Sequence, residues 1–327
     1  MRNHEKNLEI LNWLKEGDEF LLVSHIQPDG DATGSLIAMG EILTSLKKKA
    51  VLANDGVTPA RFSFLDGFIQ IQNVSQAPLT KKYRRLITVD CADWGRIGKV
   101  EEAVDSNTEI LNIDHHPTND HFGHYHLIRP EASSTCEVIF DWLRDVELPL
   151  TPPLAEALYT GYLTDTGGFR YSNTNAKVLL DASVLVQAGA NPHKIAENAL
   201  ETTTYAHLNL LSRVLSTLEI RFGGKVAFLT VPLSLLQETS ANKEDTEGLV
   251  NYGRNIEGVE VAVLLRESQE GVKVSFRSKA EVDVSDIAKK MGGGGHVRAS
   301  GALLKRSLQE ARRDVESILA PLFEGEN

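Results

Sequence analysis

Four short apolar runs punctuate the first 130 residues: Phe20–Ser24, Ala50–Ala53, Leu86–Asp90 and Ile110–Asp114. Helical patterns lie between them, and this alternation is the signature of a parallel sheet with crossover helices. A shorter run, Tyr125–Ile128, adds an edge strand. Helices then take over. One begins at Ser134, where Ser134 and Glu137 form a capping-box pair ahead of Val138, Ile139, Trp142 and Leu143. Others cover about 153–164, 176–187, 193–199 and 205–219.

From Leu218 onward the pattern changes. Residues 218–222 and 225–231 read as a hairpin across Gly223-Gly224, and 259–266 pairs likewise with 272–277 across Glu270-Gly271. Helices at about 245–255, 285–290 and 308–322 complete a smaller mixed α+β domain. A chain of 327 residues exceeds one typical domain. The expected division is therefore an α/β domain at 1–188 with a mainly parallel sheet and flanking helices, a helical connector at 189–218, and the second domain at 219–327.

Bulk properties narrow the function. A net charge of −11 argues against a nonspecific duplex binder, which needs a broad basic face. A local basic patch stays open. Cys91 and Cys136 are far apart and outside any C-x-x-C, so neither a disulfide framework nor a zinc knuckle is implied. The N-terminal segment carries Leu8, Leu11 and Leu14 at amphipathic-helix spacing and lacks a signal-peptide pattern. No apolar run approaches the roughly 20 residues of a membrane span. A reducing cytoplasm is the simplest home.

The chemistry gathers at strand and helix ends. The first apolar run delivers His25 to its carboxyl end, and Pro28 and Gly30 then force a tight loop with Asp29 and Asp31 on either side of Gly30. Asp31 also reads as the N-cap of a helix over 32–46. A second strand ends in Asp90, a third in Asp114-His115-His116, and a helix ends in Asp165. Each alone is a common turn feature, but all four junctions belong on the same sheet edge, where α/β folds bind ligands.

If His25, Asp29, Asp31, Asp90, His115 and Asp165 converge, they bring four negative charges and two neutral imidazoles, which two divalent cations balance. Asp90, from a central strand, is the best bridge. Mixed carboxylate and imidazole donors favour Mn²⁺ over Mg²⁺, with Co²⁺ as a substitute. His116 follows His115 directly, and adjacent side chains on an extended segment point to opposite sides. It is therefore better used to hydrogen-bond a phosphate or to protonate a leaving group. Asp114 either orients a histidine or is a simple turn carboxylate. In the second domain, Gly292–Gly295 offers bare backbone N–H groups to an anion, with His296 and Arg298 following and Arg277 ending a neighbouring strand. Gly293, Gly294, Gly295, His296, Arg298 and Arg277 are the expected substrate contacts.

The ordered set SHIQPDGDATGS, VDCAD, DHH and TDTGG, followed by GGGGH and ASG, resembles the DHH phosphoesterase superfamily in its RecJ-like branch. It is most similar to the two-domain oligoribonucleases, or nanoRNases, which also dephosphorylate 3′-phosphoadenosine 5′-phosphate. That resemblance implies one Mn²⁺ on His25 and Asp29, another on Asp31, His115 and Asp165, Asp90 bridging, and His116 facing the phosphate. Gln27 and Cys91 depart from the usual pattern, but neither ligates. The implied activity is release of nucleoside 5′-monophosphates from very short single-stranded RNA or dinucleotides, with the nucleotide bisphosphate as a second substrate. Other readings are a linear or cyclic dinucleotide phosphodiesterase and a non-catalytic nucleotide-binding regulator. No membrane partner is expected, and a homodimer is left open.

Overall fold

The apolar runs become strands β1 (Phe20–Val23), β2 (Ala50–Asn54), β4 (Arg85–Val89), β5 (Glu109–Asp114) and β6 (Tyr125–Ile128). A further strand, β3 (Ile71–Asn73), has no apolar run to announce it and pairs beside β2. The order is β3-β2-β1-β4-β5-β6, with every neighbouring pair parallel. From β1 the chain builds outward to β3, then crosses back to β4 and builds the other way. The strand order therefore reverses between β1 and β4, which is where open α/β sheets place their ligands.

This computed structural model describes residues 2–323, and the chain divides into two compact units, 1–202 and 203–327. In the first, helices α1 (Arg2–Glu16), α2 (Gly30–Ser45), α3 (Thr135–Asp145), α4 (Pro152–Asp165), α5 (Ala176–Gln187) and α6 (Pro192–Ala196) accompany the sheet. Strand alternation serves two cores. Phe20, Leu22, Ile87, Val89, Leu111 and Ile113 meet the helices. Leu21, Val23 and Leu86 meet Ile97, Val100 and Ala103 on the other face.

Glycine lets α2 and α4 approach closely. A Cβ on Gly34 would stand 2.5 Å from the Ala157 carbonyl. One on Gly161 would stand 2.3 Å from Cys136 Sγ and 2.5 Å from Asp31 Oδ1. Both cysteines are buried and free.

The second unit contains α7 (Tyr205–Leu215), β7 (Glu219–Arg221), β8 (Val226–Val231), α8 (Leu233–Glu238), α9 (Leu249–Arg254), β9 (Val261–Ser268), β10 (Gly271–Ser278), α10 (Val284–Lys290), β11 (Gly294–His296), β12 (Ala299–Leu304) and α11 (Leu308–Phe323). Its sheet order is β11-β12-β10-β9-β8-β7, with β8 and β9 parallel and the other pairs antiparallel. The helix expected over 245–255 starts late, because Gly248 takes a left-handed φ of 77° ahead of α9. The residues expected as a connector are divided between the units. Ile195 and Ala199 pack in the first core, and Leu210 and Val214 in the second. Among the described residues no helix is long and apolar enough to cross a membrane.

Candidate metal centre

His25 follows β1 and Asp90 follows β4, so the two flank the reversal point of the strand order. Asp90 holds a left-handed φ of 58°, a conformation that costs a non-glycine residue of order 1–2 kcal/mol. Its amide still donates to the Ile113 carbonyl at 2.9 Å. The kink leaves the Asp90 carboxylate with its Oδ2 3.4 Å from His25 Nε2 and its Oδ1 3.8 Å from His115 Nε2.

Both imidazoles are oriented through their other nitrogen. His25 Nδ1 donates to the Ile26 carbonyl at 2.8 Å, and His115 Nδ1 to the Ala132 carbonyl at 3.2 Å. Such backbone tethers set the tautomer and turn the Nε2 lone pair toward the site. His25 Nε2 also lies 4.0 Å from Asp29 Oδ1, and His115 Nε2 lies 3.9 Å from Asp31 Oδ2 and 3.3 Å from Asp165 Oδ2.

Donors about 2.1 Å from one ion stand about 3.0 Å apart when adjacent and about 4.2 Å when opposite. The observed spacings fall in that interval. Three donor groups of the first unit share Asp90: His25–Asp29–Asp90, Asp31–Asp90–His115 and Asp90–Asp114–His116.

Charge leads to the same chemistry. Burial, then the Asp90 carboxylate, pushes Asp31 up to about 7. Burial, then Asp31, Asp29 and Asp90, pushes Asp165 well above the carboxylate range. Asp90 is held low: burial opposes its charge, but the His25 hydrogen bond and three neighbouring imidazoles outweigh it. Burial disfavours protonated His25 and His115, yet the surrounding carboxylates raise both. Protein alone satisfies this cluster only by taking up protons. The donor types, their spacing and their orientation fit divalent cations.

Two expectations about local geometry need correction. The helix begins at Gly30, two residues before the expected start, so Asp29 is the N-cap and accepts from the amides of Asp31 and Ala32 at 3.1 Å each. Asp31 lies within the first turn, and its carboxylate instead accepts from the Thr135 and Cys136 amides at 2.6 and 3.0 Å, at the start of α3.

Nor do His115 and His116 point to opposite sides. β5 ends at Asp114, the next two residues are not extended strand, and the two rings lie 5.0 Å apart. His116 Nδ1 donates to Asp114 Oδ1 at 2.8 Å and stands 3.6 Å from Asp90 Oδ1. Asp114, fully buried, also accepts from Asn119 at 2.6 Å.

Thr135 escaped the sequence reading. Its hydroxyl donates to Asp90 Oδ1 at 3.0 Å. Asn119 and Asn173 were missed too; Asn173 donates to the carbonyls of Ser133 and Asp165 at 3.1 and 3.2 Å. Only the Ser134–Glu137 capping pattern hinted that α3 begins here; the Ser134 hydroxyl does accept from the Glu137 amide at 3.1 Å, while the Glu137 carboxylate accepts from Ser133 and not from Ser134.

In the second unit, part of the glycine run forms β11 and pairs with β12 through Gly294, Gly295 and His296. A Cβ on Gly293 would stand 2.1 Å from the Gly301 carbonyl, while Gly294 is open. Arg277 ends β10, and one of its guanidinium nitrogens donates to the Phe276 carbonyl at 2.9 Å. Arg298 differs from expectation: its guanidinium donates to the carbonyls of Val282, at 2.8 Å, and Ala280. The amides of 280–282 converge in turn on the Glu260 carboxylate.

Comparison with known proteins settles the family. Residues 19–162 match the DHH family, N-terminal domain, and residues 223–320 match the DHHA1 domain. The chain belongs to the DHH family. As such it is a metal-dependent hydrolase of phosphoester bonds. It is 36% identical over 288 residues to a Thermus thermophilus protein named bifunctional oligoribonuclease and PAP phosphatase NrnA, covering 87% of this chain and 83% of that one. The crystal structure of an exopolyphosphatase-related protein from Bacteroides fragilis superposes with a TM-score of 0.89 at 27% identity, covering 98% of each chain. RecJ from Thermus thermophilus in complex with Mn²⁺ shares the fold, with a TM-score of 0.51 at 14% identity over 97% of this chain and 54% of that one.

Proposed function

We propose that this DHH hydrolase is a Mn²⁺-dependent enzyme that degrades very short RNA to nucleoside 5′-monophosphates and removes the 3′-phosphate of 3′-phosphoadenosine 5′-phosphate. The observation that carries the chemistry is the pair of tethered imidazoles with Nε2 atoms 3.3–4.0 Å from four carboxylates. The substrate class rests on the resemblance to NrnA proteins across 87% of the chain. The acidic charge of −11 agrees with it, since a long strand would find little to track along.

In this reading His25 and Asp29 would hold one ion, Asp31, His115 and Asp165 the other, and Asp90 would serve both. Two cations held there would supply Lewis acidity and make a water acidic enough to yield hydroxide near neutral pH. His116, oriented by Asp114, donates its proton to the oxygen that leaves as the P–O bond breaks. Arg277, Gly293, Gly294, Gly295 and His296 receive the rest of the nucleotide, and Arg298 holds the 280–282 turn beside them. The buried free thiols Cys91 and Cys136 accord with action in the cytoplasm.

The test sets a dinucleotide, 3′-phosphoadenosine 5′-phosphate and a 20-mer side by side, each with and without Mn²⁺. Faster release from the two small substrates, dependent on Mn²⁺, is expected. Preference for the 20-mer, or activity indifferent to Mn²⁺, would overturn the reading.

A further inference from the structure

The sheet of the second unit has a face that its apolar cores leave half open. Along β10, Val272, Val274 and Phe276 are buried in one core, so alternation turns Lys273, Ser275 and Arg277 to the other side. The register sets Lys273 directly opposite Arg266 of β9, with Cβ atoms about 4.5–5.5 Å apart as for any such pair. Like charges so placed repel. Lys243 in the turn before α9 adds a third: burial, then Arg266, holds its ammonium below the ordinary lysine range. Lys273 is held low in the same way, by burial and then by Arg266 and Lys243.

Arg266 is the decisive member. It is only 8% exposed, and no hydrogen bond or ion pair joins its guanidinium to any described residue. Burial alone holds the guanidinium below the ordinary arginine range, with no carboxylate opposing. Glu247 bears on Lys273 and Glu270 on Lys243, but neither bears on Arg266. The adjacent Glu267 accepts from the Leu233 amide instead. A buried charge without a partner is costly, yet a chain of net charge −11 has acids to spare. An arrangement that leaves the guanidinium unquenched suits an anion that comes and goes. Beside the three cations the same face runs across Ser275, Gly301 and Gly294, where side chains are small or missing.

We propose that Arg266, Lys273 and Lys243 form a phosphate-binding position on the second unit, taking a backbone phosphate of the oligonucleotide away from its reacting end. This rests on the oligoribonuclease reading for its ligand. The cations are spread over two strands and a turn. That layout suits the single charge of a phosphodiester better than a free phosphate dianion.

The test uses the Mn²⁺-loaded full chain and a fluorescein-labelled pentanucleotide with hydrolysis-resistant phosphorothioate linkages, followed by anisotropy over a range of salt concentrations. Arg266→Gln, Lys273→Gln and Lys243→Gln should each weaken binding about 10-fold, as loss of a charge-assisted contact does. Each should also flatten the slope of log Kd against log salt by about 0.7, the single-strand value per phosphate contact. Arg266→Lys, which keeps the charge in place, should retain most of the slope. Wild-type affinity and slope in the three glutamine variants would overturn the proposal. Displacement of the probe by inorganic phosphate at equal concentration would do so too, by assigning the position to a free anion. If wild type binds the probe with these slopes yet cleaves no unmodified RNA, the phosphate position stands and the oligoribonuclease reading falls.

Discussion

Thr135→Val is the sharpest test of how the metal centre is held. The substitution keeps the shape of the side chain and the amide that holds Asp31 at 2.6 Å, and removes only the hydroxyl that donates to Asp90 Oδ1 at 3.0 Å. Both partners are buried, with Thr135 fully enclosed and Asp90 2% exposed, so water does not replace the lost donor. A hydrogen bond to a charged group contributes about 1.5–3 kcal/mol. Outer partners of metal ligands are worth about 10- to 100-fold in metal affinity or activity, and the two magnitudes agree. Calorimetric titration of Mn²⁺ into the metal-free protein should therefore show a 10- to 100-fold weaker phase in Thr135→Val, with KM for a dinucleotide unchanged at saturating metal. Thr135→Ser should restore most of the affinity. If the valine variant binds Mn²⁺ within twofold of wild type, Thr135 has no part in holding Asp90. If serine fails along with valine, the loss belongs to packing and the hydroxyl argument is refuted.

Three further outcomes follow from the same geometry. His115→Ala should lose bound metal on elemental analysis, whereas His116→Ala should keep both ions and lose about 100-fold or more in kcat, as removal of a proton donor does; equal metal loss in both would end that division. Because Asp31 is raised to about 7 in the metal-free fold, its ionisation is resisted there and not in the unfolded chain, so this group makes metal-free protein less stable as pH climbs from about 4 toward 7. A cation must displace that proton, so the rise in Tm on adding Mn²⁺ should be larger at pH 7.5 than at pH 5.5, and an equal rise at both would count against the assignment. Gly161→Ala should weaken Mn²⁺ binding from outside the ligand set, since its Cβ would stand 2.5 Å from Asp31 Oδ1 and overpacking of this kind costs about 1–3 kcal/mol; a wild-type titration would show that α4 yields without moving Asp31.

The buried parallel strands were legible because strands covered on both faces are continuous apolar runs. β3 was not, since Ile71-Gln72-Asn73 is short, half-buried and at the sheet edge, and only its pairing with β2 makes it a strand. β11 escaped for a related reason: glycine has low strand propensity, and its pairing with β12 decides its state. The ligand types could be read because each stands at the end of a recognisable element. Their supporting partners could not, because Thr135 meets Asp90 across 45 positions and no local pattern encodes that contact. The placement of His116 was misjudged by carrying strand geometry one residue past the end of β5.

The reversal of strand order between β1 and β4 also governs the order of events in folding. The donors at 25, 90, 115 and 165 come together only after β1, β4, β5 and α4 have docked, so the centre has no partial form in a partly folded chain. Contacts of such long sequence separation are made late. A cation that binds only this finished arrangement acts as a brake on unfolding and does not guide folding. Stopped-flow mixing should show Mn²⁺ slowing the unfolding limb while the refolding limb stays where it is without metal.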